Sequence, residues 1–479
     1  MNKVRFVFND QIQEVDFTNS EYGPTTSVLK YLRSLAGHKG VKEGCGEGDC
    51  GACTLVLAEV NGDRLRYKAV DSCLVFLPMI HGKQLITVEN LTDAKGNLHP
   101  VQQAMVDLYA SQCGYCTPGF VMSLFALYKS PLKPAREVIL DSITGNLCRC
   151  TGYLPIIEAA AKACSKKDKD IFSIREKQTI RLLKQINSQD VILIQTPKQK
   201  YYKPFKLADA LELKRKHPDA LVISGNTDTG LRVSKKHELL TEIIDISAVE
   251  ELKSITETKQ SLSIGAGVSM EEIKLATEKL VPALHKMLTV FGSKQIRNLA
   301  TMGGNIGSAS PIGDTLPVLM ACNAVVALSS HNASRVLGIQ DFIRGYRTTD
   351  LRKDEIICSI GIPFPEKGQI IKSYKISKRK TLDISTCSAG FMLELNKKDQ
   401  TVKNIILAFG GMAASTRRAT NTENFLLGKK WTRTTVEKAT ALLYREFTPL
   451  SDARSGEEFR RLAARNLLWK FYEETTSKK

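Results

Sequence analysis

The 479-residue sequence has no uninterrupted apolar run of the roughly 18 residues that a bilayer span requires. The nearest stretch, Leu316 to Leu328, is interrupted by Pro317, Cys322 and Asn323. A secretory leader is missing as well, because Asp10 stands ahead of any long apolar segment. The expectation is a soluble, cytoplasmic chain that does not engage membranes. With 43% hydrophobic and 25% charged residues, the composition lacks the bias of collagen-like, coiled-coil or disordered chains. At about 150 residues per domain it calls for roughly three folding units. A concentrated basic stripe is absent too, despite a net charge of +18. Residues 1–165 carry 16 basic and 16 acidic side chains, and residues 166–479 carry 52 and 34. That excess is dispersed, as at Lys214, Arg215 and Lys216. It reads as a solvated surface with docking of anionic cofactors, not as a nucleic-acid-binding face.

Cysteine, by contrast, is concentrated. Of the 12 cysteines, eight fall in the first 150 residues, and Cys164, Cys322, Cys358 and Cys387 are scattered as small apolar residues. Clustered cysteines without a secretory signal point to metal in preference to disulfides. Cys45, Cys50, Cys53 and Cys73 form C-x4-C-x2-C with a fourth cysteine after 19 residues, the plant-type ferredoxin spacing for a 2Fe–2S cluster. The glycines between them let a short loop coil tightly and bring backbone N–H groups to the sulfurs. They also produce a G-x-G-x-x-G match at Gly46–Gly51, which lacks the strand-to-helix setting of a dinucleotide fingerprint. Cys113, Cys116, Cys148 and Cys150 form C-x2-C followed by C-x-C after 31 residues. Closed four-cysteine zinc sites are the competing reading, and for the second quartet the spacing alone leaves both metals open.

Strands are predicted over Val4–Phe8, Gln13–Phe17, Thr54–Val60 and Gln84–Val88, with a helix near Val28–Leu35 and another over Phe120–Lys129. From Ser165 the chain turns polar, and 166–200 reads as a linker with a helix and strand within Arg175–Leu193. Further on, no ligands cluster. Two glycine- and hydroxyl-rich loops follow apolar runs, GNTDTG at 225–230 and TMGGNIGSASPIGD at 301–314. Such loops present backbone N–H groups and hydroxyls suited to a pyrophosphate, although polar turns at strand ends read equally well. No lysine crowns either loop, which argues against nucleotide hydrolysis.

EGCGEGDCGAC, QCGYCTPGF, GNLCRCTGY and ATMGGNIGSASP, in this order, closely resemble the iron–sulfur/flavin portion of the xanthine dehydrogenase family of molybdenum hydroxylases. The likeness extends through the SKRKTLDIS segment at 377–385. The resemblance implies an α+β multidomain chain. It would comprise a β-grasp 2Fe–2S ferredoxin domain over 1–90, a helical 2Fe–2S domain over 91–165, an FAD-binding domain over 201–368 and a C-terminal α+β domain over 369–479. It makes Cys45, Cys50, Cys53 and Cys73 the ligands of one 2Fe–2S cluster, and Cys113, Cys116, Cys148 and Cys150 those of the other. FAD would be held by Ser224, Gly225, Asn226, Thr227, Asp228, Thr229, Thr301, Gly304, Asn305, Ser308 and Asp314. Phe291 would stand beside the isoalloxazine, with Ile357 and Lys375 near the flavin. The chain looks like the small subunit of a bacterial enzyme of this family. A separate large molybdopterin subunit would oxidise hypoxanthine and xanthine to urate, in a heterotetramer of two small and two large chains. Electrons would pass through the 113/116/148/150 cluster, the 45/50/53/73 cluster and FAD to NAD+, so no catalytic residue is expected in this chain. A related hydroxylase of aldehydes or other N-heterocycles is the alternative. The loop Lys380–Asp383 departs from the family, which often has consecutive acidic residues there.

Overall fold

The computed structural model describes residues 2–186 and 190–476. They fall into two compact units. The first comprises Met1–Leu213, Asp219–Val249 and Gly292–Ala300, and the second Lys214–Pro218, Glu250–Phe291 and Thr301–Lys479. Neither is a continuous stretch of chain. Among the described residues no helix is long and apolar enough to cross a membrane.

The first unit opens with a five-stranded sheet, ordered β2-β1-β5-β3-β4: β1 (Lys3–Phe8), β2 (Gln11–Asp16), β3 (Thr54–Asn61), β4 (Arg64–Asp71) and β5 (Gln84–Ile86). The β1–β5 pair is parallel and the others antiparallel. Alternation in β1 buries Val4 and Phe6, which pack with Val28, Leu29 and Leu32 of helix α1 (Val28–Ser34). Ser27 starts α1 by accepting from the Lys30 N–H. Strand β4, absent from the predicted set, alternates Arg64, Arg66 and Lys68 with Leu65, Tyr67 and Ala69.

Five helices follow: α2 (Pro100–Asp107), α3 (Thr117–Lys129), α4 (Arg136–Ser142), α5 (Leu154–Ser165) and α6 (Ile171–Ile186). Helix α3 is buried nearly all round, as its run of apolar residues requires, and centres a core that includes Phe120, Leu124, Phe125, Ile156 and Ala160. The stretch read as a linker is largely ordered: α6 packs Phe172, Ile180 and Leu183 into this same core. Asp170, whose side chain is 2% exposed, anchors its start. Its carboxylate accepts from Ser173 N–H at 2.7 Å, Lys129 Nζ at 2.9 Å and the His99 ring at 3.0 Å. A second sheet, ordered β6-β7-β9-β8, comprises β6 (Ile192–Gln195), β7 (Lys200–Lys203), β8 (Leu221–Ile223) and β9 (Glu242–Asp245). Lys203 and Asp245 form a buried pair at 2.6 Å in it, joined by the Tyr201 hydroxyl at 2.7 Å.

The second unit has a five-stranded antiparallel sheet, ordered β10-β11-β16-β12-β13: β10 (Ile255–Glu257), β11 (Ser261–Gly265), β12 (Val325–Ser329), β13 (Ser334–Gly338) and β16 (Ile356–Pro363). A small hairpin of β14 (Ile343–Gly345) and β15 (Thr348–Thr349) precedes β16. The C-terminal sheet, β17 (Gln369–Ile376), β18 (Cys387–Leu395), β19 (Val402–Gly410) and β20 (Arg417–Arg418), is covered by helices Arg433–Glu446 and Glu457–Thr476. Phe391, Phe409, Trp431 and Phe471 fill the layer between them.

Candidate iron–sulfur and flavin sites

The first cysteine loop runs between α1 and β3, with Cys73 just past β4. Its backbone turns through positive φ at Gly46, Gly48 and Gly51. Glu47 and Asp49 donate their N–H groups to Cys45 Sγ at 3.4 Å each. Gly44 makes room for a neighbour, since a Cβ there would lie 2.8 Å from Cys50 Sγ. The neighbouring Cys50 holds the Cys45 thiol down at about 5, and Cys45 in turn pushes the Cys50 thiol up.

The second quartet lies on the loop before α3 and the turn before α5. The backbone N–H of Tyr115 holds the Cys113 thiol down, and burial pushes the Cys116 thiol up to about 12. Thr151 donates its N–H to Cys148 Sγ at 3.4 Å. Cys113 and Cys150 are exposed, whereas Cys53 and Cys73 are buried.

Four thiolates per quartet can hold a 2Fe–2S cluster, and backbone N–H groups aimed at sulfur suit its anionic ligands.

The residues expected at FAD lie in both units. In the first, the turn after β8 carries Ser224 to Thr229. Asn226 takes φ 61° and donates through Nδ2 to Leu74 C=O at 2.8 Å, leaving its Oδ1 buried without a partner. A Cβ on Gly225 would lie 1.9 Å from Leu299 C=O, so this turn is packed against backbone. The orphaned Asn226 acceptor gives the turn unspent capacity for a hydroxylated ligand. In the second unit, Thr301 caps the short helix Met302–Gly307 by accepting from Gly304 N–H at 3.2 Å, and leaves Gly304 exposed. Asn305 accepts from Thr315, and Ser308 donates to the Asn305 carbonyl at 2.9 Å. Buried Ile357 lies on β16 in contact distance of Gly307. Lys375 and Asp314 form a buried ion pair at 2.7 Å, so neither is a free charge. Ser385 also donates to Asp314, and Lys375 donates to the Val290 carbonyl at 3.1 Å, next to half-buried Phe291. The Lys380–Asp383 loop is surface-placed, and its one carboxylate, Asp383, is taken by the Arg379 side chain at 2.7 Å. Two polar residues that sequence reading passed over, Asn146 and Gln295, are buried among the cysteine loops; neither belongs to a ligand pattern that would have flagged it.

Two cysteine quartets ahead of glycine- and hydroxyl-rich loops point to the class: an iron–sulfur flavoprotein. Comparison with known proteins agrees. Residues 11–77 match the 2Fe-2S iron-sulfur cluster binding domain and 87–161 the 2Fe-2S binding domain. Residues 196–365 match the FAD binding domain in molybdopterin dehydrogenase, and 372–475 the CO dehydrogenase flavoprotein C-terminal domain. The chain therefore carries two 2Fe–2S-binding domains and an FAD-binding domain, and the set fits the electron-transfer portion of a molybdenum hydroxylase. It is 33% identical to xanthine dehydrogenase of Emericella nidulans over 95% of its length, and 29% identical to human aldehyde oxidase over 95%. It spans 37% and 38% of those proteins. In fold it resembles a chain of quinoline 2-oxidoreductase from Pseudomonas putida 86 (TM-score 0.53, 24% identity, 58% of this chain and 97% of that one).

Proposed function

We propose that this chain is the electron-transfer part of a xanthine dehydrogenase, serving oxidation of hypoxanthine and xanthine to urate with NAD+ as acceptor. The molybdenum centre would lie outside residues 1–479, on a large partner chain. Two four-cysteine sets, each with backbone N–H groups turned onto a sulfur, carry this reading. Cys45, Cys50, Cys53 and Cys73 would hold one cluster, and Cys113, Cys116, Cys148 and Cys150 the other. Ser224–Thr229, Phe291, Thr301, Gly304, Asn305, Ser308, Asp314, Ile357 and Lys375 would serve FAD. Iron–sulfur clusters supply one-electron steps, and the flavin joins them to the two-electron chemistry of a nicotinamide.

The residues themselves do three things. N–H groups of Glu47, Asp49 and Thr151 stabilise negative charge on the sulfurs. Burial of Cys53 and Cys73 keeps water from the inner quartet. Exposure of Cys113 and Cys150 makes the outer quartet the entry point for electrons from the partner. A second reading, a related hydroxylase of an aldehyde or other N-heterocycle, draws on the likeness to aldehyde oxidase and on the neutralised Asp383. Anaerobic titration with NADH, followed by visible absorption and low-temperature EPR, tests the cluster, flavin and NAD+ assignments together. Flavin bleaching with two reduced-cluster signals is the expected result. Clusters reduced by dithionite but not by NADH would sink the NAD+ assignment.

A further inference from the structure

A buried polar knot joins the two cysteine-bearing loops of the first unit. The Leu147 N–H donates to the Cys50 carbonyl at 3.0 Å, so a residue of the first quartet is bonded directly to the neighbour of Cys148 in the second. Asn146, 2% exposed, donates through Nδ2 to the Gly51 carbonyl and Thr54 Oγ1, both at 3.1 Å. Its Oδ1 accepts from Ser123 Oγ at 2.6 Å and from Gln295 Nε2 at 3.0 Å. Gln295, fully buried, also donates to Ser123 Oγ at 2.8 Å and to the Ser142 carbonyl at 3.1 Å. There is no slack in this packing. A Cβ on Gly51 would lie 2.3 Å from the Gly145 carbonyl, and one on Gly145 would lie 2.3 Å from Gln295 Oε1. That Oε1 has no hydrogen-bond partner. A space-filling role would be met more cheaply by an apolar side chain, because an unpaired buried acceptor destabilises the fold.

We propose that Asn146 and Gln295, together with the Leu147–Cys50 hydrogen bond, are positioning groups that fix the spacing of the two cluster-bearing loops. This rests on reading both quartets as 2Fe–2S sites. From Cys148 Sγ to Cys50 Sγ the route is covalent except for that one hydrogen bond. Along it no covalent bond forms or breaks and no proton moves. With a cluster held by Cys113, Cys116, Cys148 and Cys150 and another by Cys45, Cys50, Cys53 and Cys73, one electron would leave the former and enter the latter.

The test is Gln295→Met in the full iron-loaded chain, reduced with dithionite and examined by low-temperature EPR. Iron content and the g-values of each cluster should match wild type. The spin–spin splitting between the two reduced clusters should change, and electron equilibration after a substoichiometric dithionite pulse should slow roughly 10- to 100-fold, as misplacement by about an ångström does elsewhere. Gly145→Ala, whose methyl would meet Gln295 and Ser293 first, should alter the splitting in the same sense and covers the case in which Gln295→Met loses a cluster. Unchanged splitting and rate in a variant that retains both clusters would overturn the proposal. A wild-type chain without two iron–sulfur signals would instead overturn the reading beneath it.

Discussion

Replacing Asp170 with Asn should loosen the helical cluster domain, and the structure sets the scale. The carboxylate is 2% exposed and receives His99, Lys129 and the start of α6. Burial alone would raise its pKa, but the hydrogen bond from His99 and the charge of Lys129 outweigh that and hold it well below the ordinary range. Removing one partner of a buried pair costs about 3–5 kcal/mol. Asn can still accept from Ser173 and Lys129, so we expect about 2–4 kcal/mol, which is roughly 30- to 700-fold in the opening equilibrium. Hydrogen–deuterium exchange of peptides from α2, α3 and α6 reads that factor locally. Because the folded pKa is depressed, the wild-type advantage should be complete above the unfolded carboxylate value of about 4 and shrink as pH falls below it. Exchange in Asp170→Asn within twofold of wild type at neutral pH, or a gap that persists undiminished into strong acid, would refute the reasoning.

Three further outcomes follow from named contacts. Cys150→Ser should lower iron from about four to about two per chain while one EPR signal survives, if each quartet holds one dinuclear cluster; loss of a quarter of the iron, or of none, would contradict this. Gly225→Ala sets a methyl against the Leu299 carbonyl, and overpacking of about 1–3 kcal/mol should weaken FAD retention by roughly 5- to 150-fold. Flavin content equal to wild type after dialysis would count against that turn as a flavin site. Lys375→Met strands Asp314 in a buried setting and should destabilise by about 3–5 kcal/mol, with Asp314→Asn in the same chain recovering most of the loss; additive effects in urea unfolding would show that the pair is not coupled.

Sequence disclosed those parts whose chemistry is local. Cysteine spacing picked out two quartets on a few short loops, and the alternation of β1 and the apolar run of α3 betrayed their elements. Other parts were illegible for definite physical reasons. Strand β4 alternates basic with apolar residues, yet only its apolar side packs inward, so the charges masked the period. The stretch after Ser165 looked like a linker because its N-terminal anchor, Asp170, finds His99 and Lys129 far away in sequence. Gln295 is the sharpest case. A glutamine four residues past an aromatic has no signature of its own, and its importance comes wholly from Ser123, Ser142 and Asn146, which reach it through the fold. Groups that hold a cofactor announce themselves by residue type; groups that hold two cofactor loops together do so only through geometry. Such a residue tolerates almost no change in shape while leaving no motif, and that is why Gln295→Met, not another cysteine variant, distinguishes a chain that merely carries two clusters from one built to connect them.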